Sequence, residues 1–557
     1  MRTSSVRVLV VVLFAAAALF ANASFAQVES SPKATTPAGL NRDANANQAG
    51  NLKLRPNIII SKETTFITEP LRPDGYPDYV RYVDEQLSKG VTPDNNAVVL
   101  LLRALGPREI SEKHQADFFK RLNIEPLPAQ GNYFVDWAKY SARYSAKDWP
   151  PVPAGSQQSA REFFESLDEA ARERPWTRKD FPALADWLQA HDKHIDQFVA
   201  ASKRPQMYTP LITGDEEPTL VAVLLPVVQN SRQAARALVT RAMYRAGGGD
   251  FNAAVEDLMA CHRLARLTAQ GFSLIESLVA VAMDHIALDA EAALLSQDKM
   301  TAAQRATLRK ELAQLPPMRS MANALDRGER LMYLDSVCWI ARRGASAMKH
   351  LTGMIIETPP GMSDLLANVA GDVLIDWNVP LKVGNEWYDR YVEAAAIEDA
   401  KERLKALAAI EADVKATAAR SRDAGSVLGL FFSPRFSASQ KMADVFIALL
   451  LPALNAALNA EHRNGAKLSL VNLGLALADY RDENKRFPDN LDQLAPKHIE
   501  KIPLDPMWGD PFLYKKTDNG YLLYGLGQNG QDDGGRTSDS NDGADDLVIA
   551  VHRKPEN

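Results

Sequence analysis

The chain has 557 residues and a net charge of −6, with 46% hydrophobic and 24% charged side chains. This composition is that of a globular protein, which excludes a fibrous or wholly disordered chain, and the length allows about two to four domains. The Lys and Arg residues are dispersed along predicted helices, so no basic surface of the kind that binds nucleic acid is expected.

Residues 1–26 have the pattern of a secretory signal peptide. Basic residues precede a short apolar run, Val8 to Ala21, and small residues follow it, so cleavage is expected before Gln27. The polar residues at 27–52 have no apolar periodicity and predict a disordered linker. The sequence therefore predicts a periplasmic or secreted protein with no membrane span after cleavage.

Helical spacing of apolar residues dominates most of the chain. It predicts an N-terminal helical, aromatic-rich region at 53–215 and a central helical domain at 216–423. Loop-forming residues predict a linker at 424–440, before a C-terminal domain at 441–557. The predicted helices are 95–105, 231–295, 302–315, 321–343, 386–422 and 442–484.

A glycine-rich turn at Gly247–Asp250 divides the stretch 231–295 into a helical hairpin. Small residues at facing positions, such as Ala235 and Ala254, make this hairpin resemble a single tetratricopeptide-type unit. The resemblance covers about one repeat, and because no stacked copies are evident, a full solenoid is not predicted.

Aromatic residues accumulate in the N-terminal region. They would either form core or line a groove for sugars or peptides, and the groove is the basis for considering a hydrolase. The set is Phe118, Phe119, Tyr133, Phe134, Trp137, Tyr140, Tyr144 and Trp149.

Four further residues are candidates for special chemistry. Cys261 and Cys338 are compatible with one disulfide in an exported protein or with two buried thiols. His191 and His194 have a spacing that suits a metal site, but without a third ligand a solvated pair is favoured. The sequence has no Gly-x-Ser-x-Gly elbow, P-loop or His-Glu-x-x-His motif, and therefore does not predict an enzyme.

The segment Gly271 to Val279 resembles the cleavage and methylation motif of type IV prepilins, with its glycine, phenylalanine and glutamate. In that family the motif follows a short basic leader and opens a long apolar helix. Here it lies in mid-chain, and Asp284 and His285 interrupt the apolar run. We therefore do not expect processing at this position.

The C-terminal domain is predicted as α+β, with a long helix followed by short strands at 511–515, 520–526 and 547–552. Its motifs, in order, are Leu477–Tyr480, Phe487-Pro488, Ile502–Tyr514, Gly525–Gly530 and Ala544–Asp546. These motifs resemble the head domain of the major pseudopilin of type II secretion systems, over roughly the last ninety residues.

The resemblance implies a calcium ion bound by the Leu526 carbonyl, Asn529 and Asp545. Oxygen ligands on glycine-rich backbone also suit calcium on chemical grounds, and crowded carboxylates repel each other without a cation. The aspartates that crowd this loop are Asp532, Asp533, Asp539, Asp542, Asp545 and Asp546. The predicted metal ligands are Leu526, Asn529, Asp532, Asp533, Asp545 and Asp546, and the alternative is a solvated acidic loop. The dinucleotide-like spacing of Gly525–Gly530 has no helix after it, so a nucleotide site is not expected.

Together these patterns predict an exported, mainly α-helical binding or scaffold protein with a protein partner and a calcium-stabilised tail. Two alternatives stay open at this point. One is an accessory component of a type II secretion or pilus-like system. The other is a hydrolase acting outside the cytoplasm.

Overall fold

The fold is mainly helical, with a small antiparallel sheet near the C-terminal end, as the sequence predicts. The computed structural model describes residues 58–145, 147, 149–152, 158–213, 218–343, 375–422, 434–451, 454–518, 520–538 and 543–552. The predicted signal peptide and the linker at 27–52 lie outside these residues.

The helices vary from a single turn to long rods. In chain order they are α1 Tyr79–Ser88, α2 Ala97–Leu105, α3 Glu112–Arg121, α4 Trp137–Ser141, α5 Ala160–Glu165, α6 Leu167–Ala170, α7 Pro182–Ser202, α8 Val228–Gly247, α9 Phe251–Thr268, α10 Leu274–Ser296, α11 Ala302–Ala313, α12 Met321–Ala324, α13 Arg330–Arg343, α14 Asn378–Ala395, α15 Ala400–Arg422, α16 Pro434–Leu450 and α17 Leu454–Asn484. A π-helical turn, Leu325–Glu329, joins α12 to α13.

Side-chain caps fix where several helices begin. Asn96 accepts a hydrogen bond from the backbone N–H of Val98 at the start of α2. Asp250 does the same for Ala253 in α9, immediately after the predicted glycine turn. Each cap satisfies a backbone donor that has no partner within its helix. The predicted turn between α8 and α9 is thus confirmed, but the stretch 231–295 contains three helices and not two, because a second break at 269–273 precedes α10.

The sheet near the C-terminal end has the order β3-β4-β5, with β3 at Leu513–Thr517, β4 at Gly520–Gly525 and β5 at Leu547–His552. A further pair, β1 at Ile212–Thr213 and β2 at Val223–Leu224, is separate from it. Alternate residues of β5 are buried and pack against α10 and α17, because successive side chains point to opposite faces of a strand.

Two buried clusters hold the molecule together. The first core joins α2–α11 to the C-terminal part of α17 and the sheet. The second core joins the segment 58–88 and α12–α16 to the N-terminal part of α17. Both α10 and α17 contribute to both cores. The region predicted as a separate C-terminal domain, 441–557, therefore shares its apolar core with the rest of the chain.

Several element boundaries differ from the sequence prediction. The helix α16 begins at Pro434, so residues 434–440 of the predicted linker are helical, while 424–433 lie outside the described residues. Proline is tolerated in the first turn of a helix because the N–H there has no intrahelical partner. The predicted helix 442–484 is divided between α16 and α17, and 386–422 between α14 and α15. None of the described helices combines the length and apolarity that crossing a bilayer requires.

Candidate functional site

The acidic loop connects β4 to β5 and comprises residues 526–546, of which the structure describes all but 539–542. Two of its aspartates, Asp539 and Asp542, therefore lie outside the described residues. The loop begins with Leu526, and the next residue, Gly527, approaches Asp545 so closely that a Cβ atom there would overlap it. Only glycine permits so close an approach between two stretches of backbone.

Asp545 joins the two ends of the loop. Its Oδ2 accepts hydrogen bonds from the backbone N–H of Gln528 at 2.8 Å and of Asn529 at 3.3 Å. Its own backbone N–H donates to Asp533 Oδ2 at 3.1 Å, and that oxygen also accepts from Asn529 Nδ2 at 2.9 Å. The structure thus brings together three of the predicted ligands: Asn529, Asp533 and Asp545.

Asp532 has a different environment from the other loop aspartates. Its Oδ1 accepts from the Tyr524 hydroxyl at 2.9 Å and from the Gly534 backbone N–H at 2.9 Å. The hydrogen bond from the Gly534 N–H is the main reason why the pKa of Asp532 is lowered. This oxygen, which the sequence assigned to a metal, is therefore engaged in holding the loop against β4.

Asp546 is buried at 2% exposure, although carboxylates are seldom buried without partners. Its Oδ2 accepts from the Gly535 backbone N–H at 2.9 Å, but its Oδ1 has no partner among the described residues. Asp545 Oδ1 is also buried without a described partner. Burial is the main cause that raises the pKa of Asp546, and the negative charges of Asp533 and Asp532 add to it. A cation beside these oxygens would offset both effects.

The described carboxylates do not by themselves complete a metal site. Within the described ranges, no group of three or more His, Cys, Asp or Glu side chains is arranged to hold a metal ion. Backbone carbonyls, the Asn529 amide and water would have to supply the remaining ligands, as they commonly do for calcium.

The turn at 505–510 packs against the acidic loop. The Trp508 indole N–H donates to the Gly527 carbonyl at 3.1 Å, and a Cβ atom on Gly530 would lie 2.8 Å from the Trp508 ring. Asp505 Oδ1 accepts from the Met507 backbone N–H at 2.8 Å, while its Oδ2 is buried without a described partner. Burial raises the pKa of Asp505 to about 6. The sequence did not identify Asp505 as a special residue.

An inner charge layer lies between α9, α10 and α17, and the sequence did not predict it. The His262 ring nitrogens lie 2.5 Å from Asp284 Oδ1 and 3.1 Å from Glu291 Oε1. Arg266 and Asn464 also donate to Asp284, at 2.6 and 2.7 Å. His262 and both carboxylates are almost fully buried. The sequence could have indicated this layer, because Asp284 and Glu291 lie two turns apart and interrupt an apolar helical pattern.

The inner charge layer is balanced by opposite charges. Although burial opposes a charged imidazole, the two carboxylates outweigh it and raise the pKa of His262 to about 9. His262 is therefore protonated at neutral pH, and its two N–H groups donate to Asp284 and Glu291. Both ring nitrogens of His262 are engaged with carboxylates of α10, and this layer therefore connects α9 to α10.

The two cysteines do not form a disulfide. Cys261 belongs to the first core and Cys338 to the second, and both are free, buried thiols. Burial is the main cause that raises the pKa of each thiol, to about 12 for Cys338. Thiols of this kind are weak nucleophiles, because the thiolate form is disfavoured.

The histidine pair of α7 is buried and not solvated as the sequence suggested. His191 Nδ1 lies 2.9 Å from the Trp187 carbonyl, and His194 Nε2 lies 2.8 Å from the Asn132 carbonyl. Burial lowers the pKa of His191. Within the described residues, each of these rings has a backbone carbonyl oxygen as its hydrogen-bond partner.

The aromatic residues of the N-terminal region are core residues. Phe134, Trp137 and Tyr140 are at most 9% exposed and pack edge-to-face or tilted against neighbouring rings. The pocket beside Phe134 has a volume of about 20 Å³, which suits about one water molecule. Of the two interpretations of these residues, core packing is the one that Phe134, Trp137 and Tyr140 follow.

The prepilin-like segment has a structural role at the start of α10. Ser273 and Glu276 form a capping box, in which Ser273 accepts from the Glu276 N–H and Glu276 accepts from the Ser273 N–H. The glutamate of the motif therefore serves as a helix cap in this fold.

An open groove of about 580 Å³ lies between α11, α17 and the segment 496–503. Its lining includes Arg309, Lys497 and Lys501, together with Asn472 of α17. Arg309 also pairs with Asp479 at 2.7 Å, which ties the groove to the surface of α17.

Comparison of the chain with protein-family models, with curated proteins and with solved structures gives no match.

Proposed function

We propose that this chain is an exported helical binding protein, a scaffold for a protein partner, whose acidic loop holds a calcium ion. Export to the periplasm or the cell exterior is proposed from the signal-like residues 1–26. The calcium proposal depends on one observation above all. The buried Oδ1 atoms of Asp545 and Asp546 have no described partner, although they belong to a loop crowded with carboxylates.

The donor set supports calcium more than other cations. Asp545, Asp546, Asp533 and Asn529 offer oxygen ligands, and Leu526, which precedes the Gly527 that approaches Asp545, offers a backbone carbonyl. Calcium takes about six to eight oxygen ligands in flexible geometry, whereas magnesium requires a regular octahedron and zinc prefers nitrogen and sulfur. When bound, the ion would neutralise the loop and fix it between β4 and β5.

The binding role is supported by the groove between α11, α17 and 496–503, which exposes lysines on a chain of net negative charge. An accessory role in a secretion or pilus-like system is the alternative. The burial of α17 in both cores favours the scaffold, because it leaves α17 less apolar surface for packing with other subunits. Co-purification with secretion components would support the alternative instead.

The calcium proposal is tested by isothermal titration calorimetry on the full chain after removal of divalent cations with a chelator. We expect saturable calcium binding, no comparable magnesium binding, and loss of binding in Asp545→Ala. At a calcium concentration about a hundred times the Kd, the folded state should gain about 2.7 kcal/mol. Asp518→Ala is the matched control, because Asp518 is an exposed aspartate in the β3–β4 turn.

Asp518→Ala should bind calcium like the unaltered chain. If calcium gives no binding signal, or if Asp545→Ala binds it unchanged, the loop is a solvated acidic turn and the calcium proposal is wrong. The scaffold proposal would stand independently of that result.

A further inference from the structure

One edge of the contact between α10 and α17 has four ionisable side chains, two from each helix. His285 and Asp289 are one turn apart on α10, and Arg463 and Lys467 are one turn apart on α17. Residues at this spacing lie on one face of a helix. Lys467 Nζ lies 3.0 Å from Asp289 Oδ1, and His285 Nε2 lies 3.6 Å from Asp289 Oδ2. We call these four residues the edge cluster.

The edge cluster is surrounded by protein but open to water. The Asp289 side chain is 53% exposed and that of His285 is 29% exposed, whereas Lys467 is 10% exposed. His285 is thus partly buried, and burial is the main cause that lowers its pKa. A small solute can therefore reach these side chains in a setting that strengthens electrostatic interactions.

The charges of the edge cluster are not balanced. Arg463 and Lys467 are cationic, Asp289 is the single anion, and the lowered pKa leaves His285 neutral at pH 7. Lys467 already pairs with Asp289. Within the described chain, no carboxylate forms an ion pair with Arg463, and its Nε is buried without a hydrogen-bond partner.

The neighbouring inner charge layer does not supply the missing anion. Its two cations, His262 and Arg266, face its two carboxylates, Asp284 and Glu291. Asp284 is thus already engaged, although it is adjacent in sequence to His285. Among the described residues, the edge cluster is therefore left with one positive charge in excess, and a partly buried charge that is not balanced is costly.

We propose that the edge cluster binds the oxyanion group of a small ligand, a carboxylate or a phosphate. Arg463 is its main partner, because a guanidinium presents parallel N–H donors that match the oxygens of both groups. Lys467 adds positive charge from the next turn of α17, and the neutral His285 ring can donate one hydrogen bond. Asp289 holds Lys467 in place and, as an anion, weakens the binding. This proposal does not depend on the calcium proposal.

The test is a calorimetric titration of the full chain with inorganic phosphate and, separately, with acetate, at fixed ionic strength in chloride. We expect saturable binding of at least one of the two. Arg463→Gln removes a charge-assisted interaction and should weaken binding by about tenfold to a hundredfold. Arg103→Gln is the matched control, because Arg103 is an exposed helical arginine, and it should leave the affinity unchanged.

A second variant should strengthen anion binding, whereas Arg463→Gln should weaken it. Asp289→Asn removes the repelling charge and should tighten binding, and the exposure of Asp289 makes this substitution compatible with folding. Stronger binding of phosphate identifies a phosphate ligand, and stronger binding of acetate identifies a carboxylate. The proposal is overturned if neither anion binds the unaltered chain or Asp289→Asn, or if Arg463→Gln binds as the unaltered chain does.

Discussion

The charge on His262 should make the stability of this protein depend on pH above neutrality. The ring is 1% exposed, and its N–H groups donate to Asp284 and Glu291. Its pKa is raised from 6.5 to about 9 in the folded chain. A raised pKa means that the folded state holds this proton more tightly than the unfolded state does.

The size of the effect follows from that difference in pKa. Each pKa unit corresponds to about 1.4 kcal/mol, so the charged ring contributes about 3 kcal/mol of stability. This contribution is fully present below pH 6.5 and is lost as the pH rises through 9. His262→Gln should instead leave Glu291 buried without a cationic partner, and we expect a loss of about 3–5 kcal/mol at pH 6.5.

The assay is urea unfolding of the full chain, followed by circular dichroism between pH 6 and 9.5. The buried thiols also destabilise the fold at high pH, because their pKa values are raised, so the slope must be compared between variants. His262→Gln should show a shallower loss of stability than the unaltered chain. Adding Glu291→Gln should recover part of the stability, because it removes the unpaired carboxylate. Equal pH slopes in the unaltered chain and His262→Gln would refute this account of the inner charge layer.

Two further substitutions have expected outcomes that urea unfolding can check. Burial raises the pKa of Glu329 from 4.5 to about 7, so stability falls as the pH rises from 4.5 to about 7 and the full cost is present above that. Glu329→Gln should therefore stabilise the fold by about 1–3 kcal/mol above pH 7 and have little effect near pH 4. A Cβ atom on Gly247 would overlap the Trp176 backbone, whereas one on Gly248 would have no neighbour closer than 3.5 Å. Gly247→Ala should therefore destabilise by about 1–3 kcal/mol and Gly248→Ala by almost nothing, and equal effects would contradict this.

Local patterns in the sequence predicted many elements of the fold. The strand 547–552 has the predicted bounds, and the hairpin turn lies at Gly247–Asp250, because alternation and glycine content act over a few neighbouring residues. For the acidic loop, the sequence identified Asn529, Asp533 and Asp545, which the structure brings together. The sequence offered no reason to treat Asp532 differently from these residues, because the Tyr524 hydroxyl that donates to Asp532 lies on β4.

Other features depended on contacts between residues far apart in the chain. His262 meets Asp284 across two helices, and Asn464 reaches the same carboxylate from α17. No local pattern gives the position of such partners, because they are set by how α9, α10 and α17 pack. The same holds for His191, which was interpreted as solvated and is buried against neighbouring aromatic rings.

By itself, the sequence determined the mainly helical class, the small C-terminal sheet and the acidic glycine-rich loop, because periodicity, turn residues and charge are local properties. The tertiary structure alone decided that the C-terminal region shares its core with the rest of the chain. It also decided which charges are paired, and among the described residues it gives Arg463 no ion-pair partner. Burial and ion pairing depend on the three-dimensional arrangement of distant segments, and that arrangement is what converts a helical pattern into a candidate site.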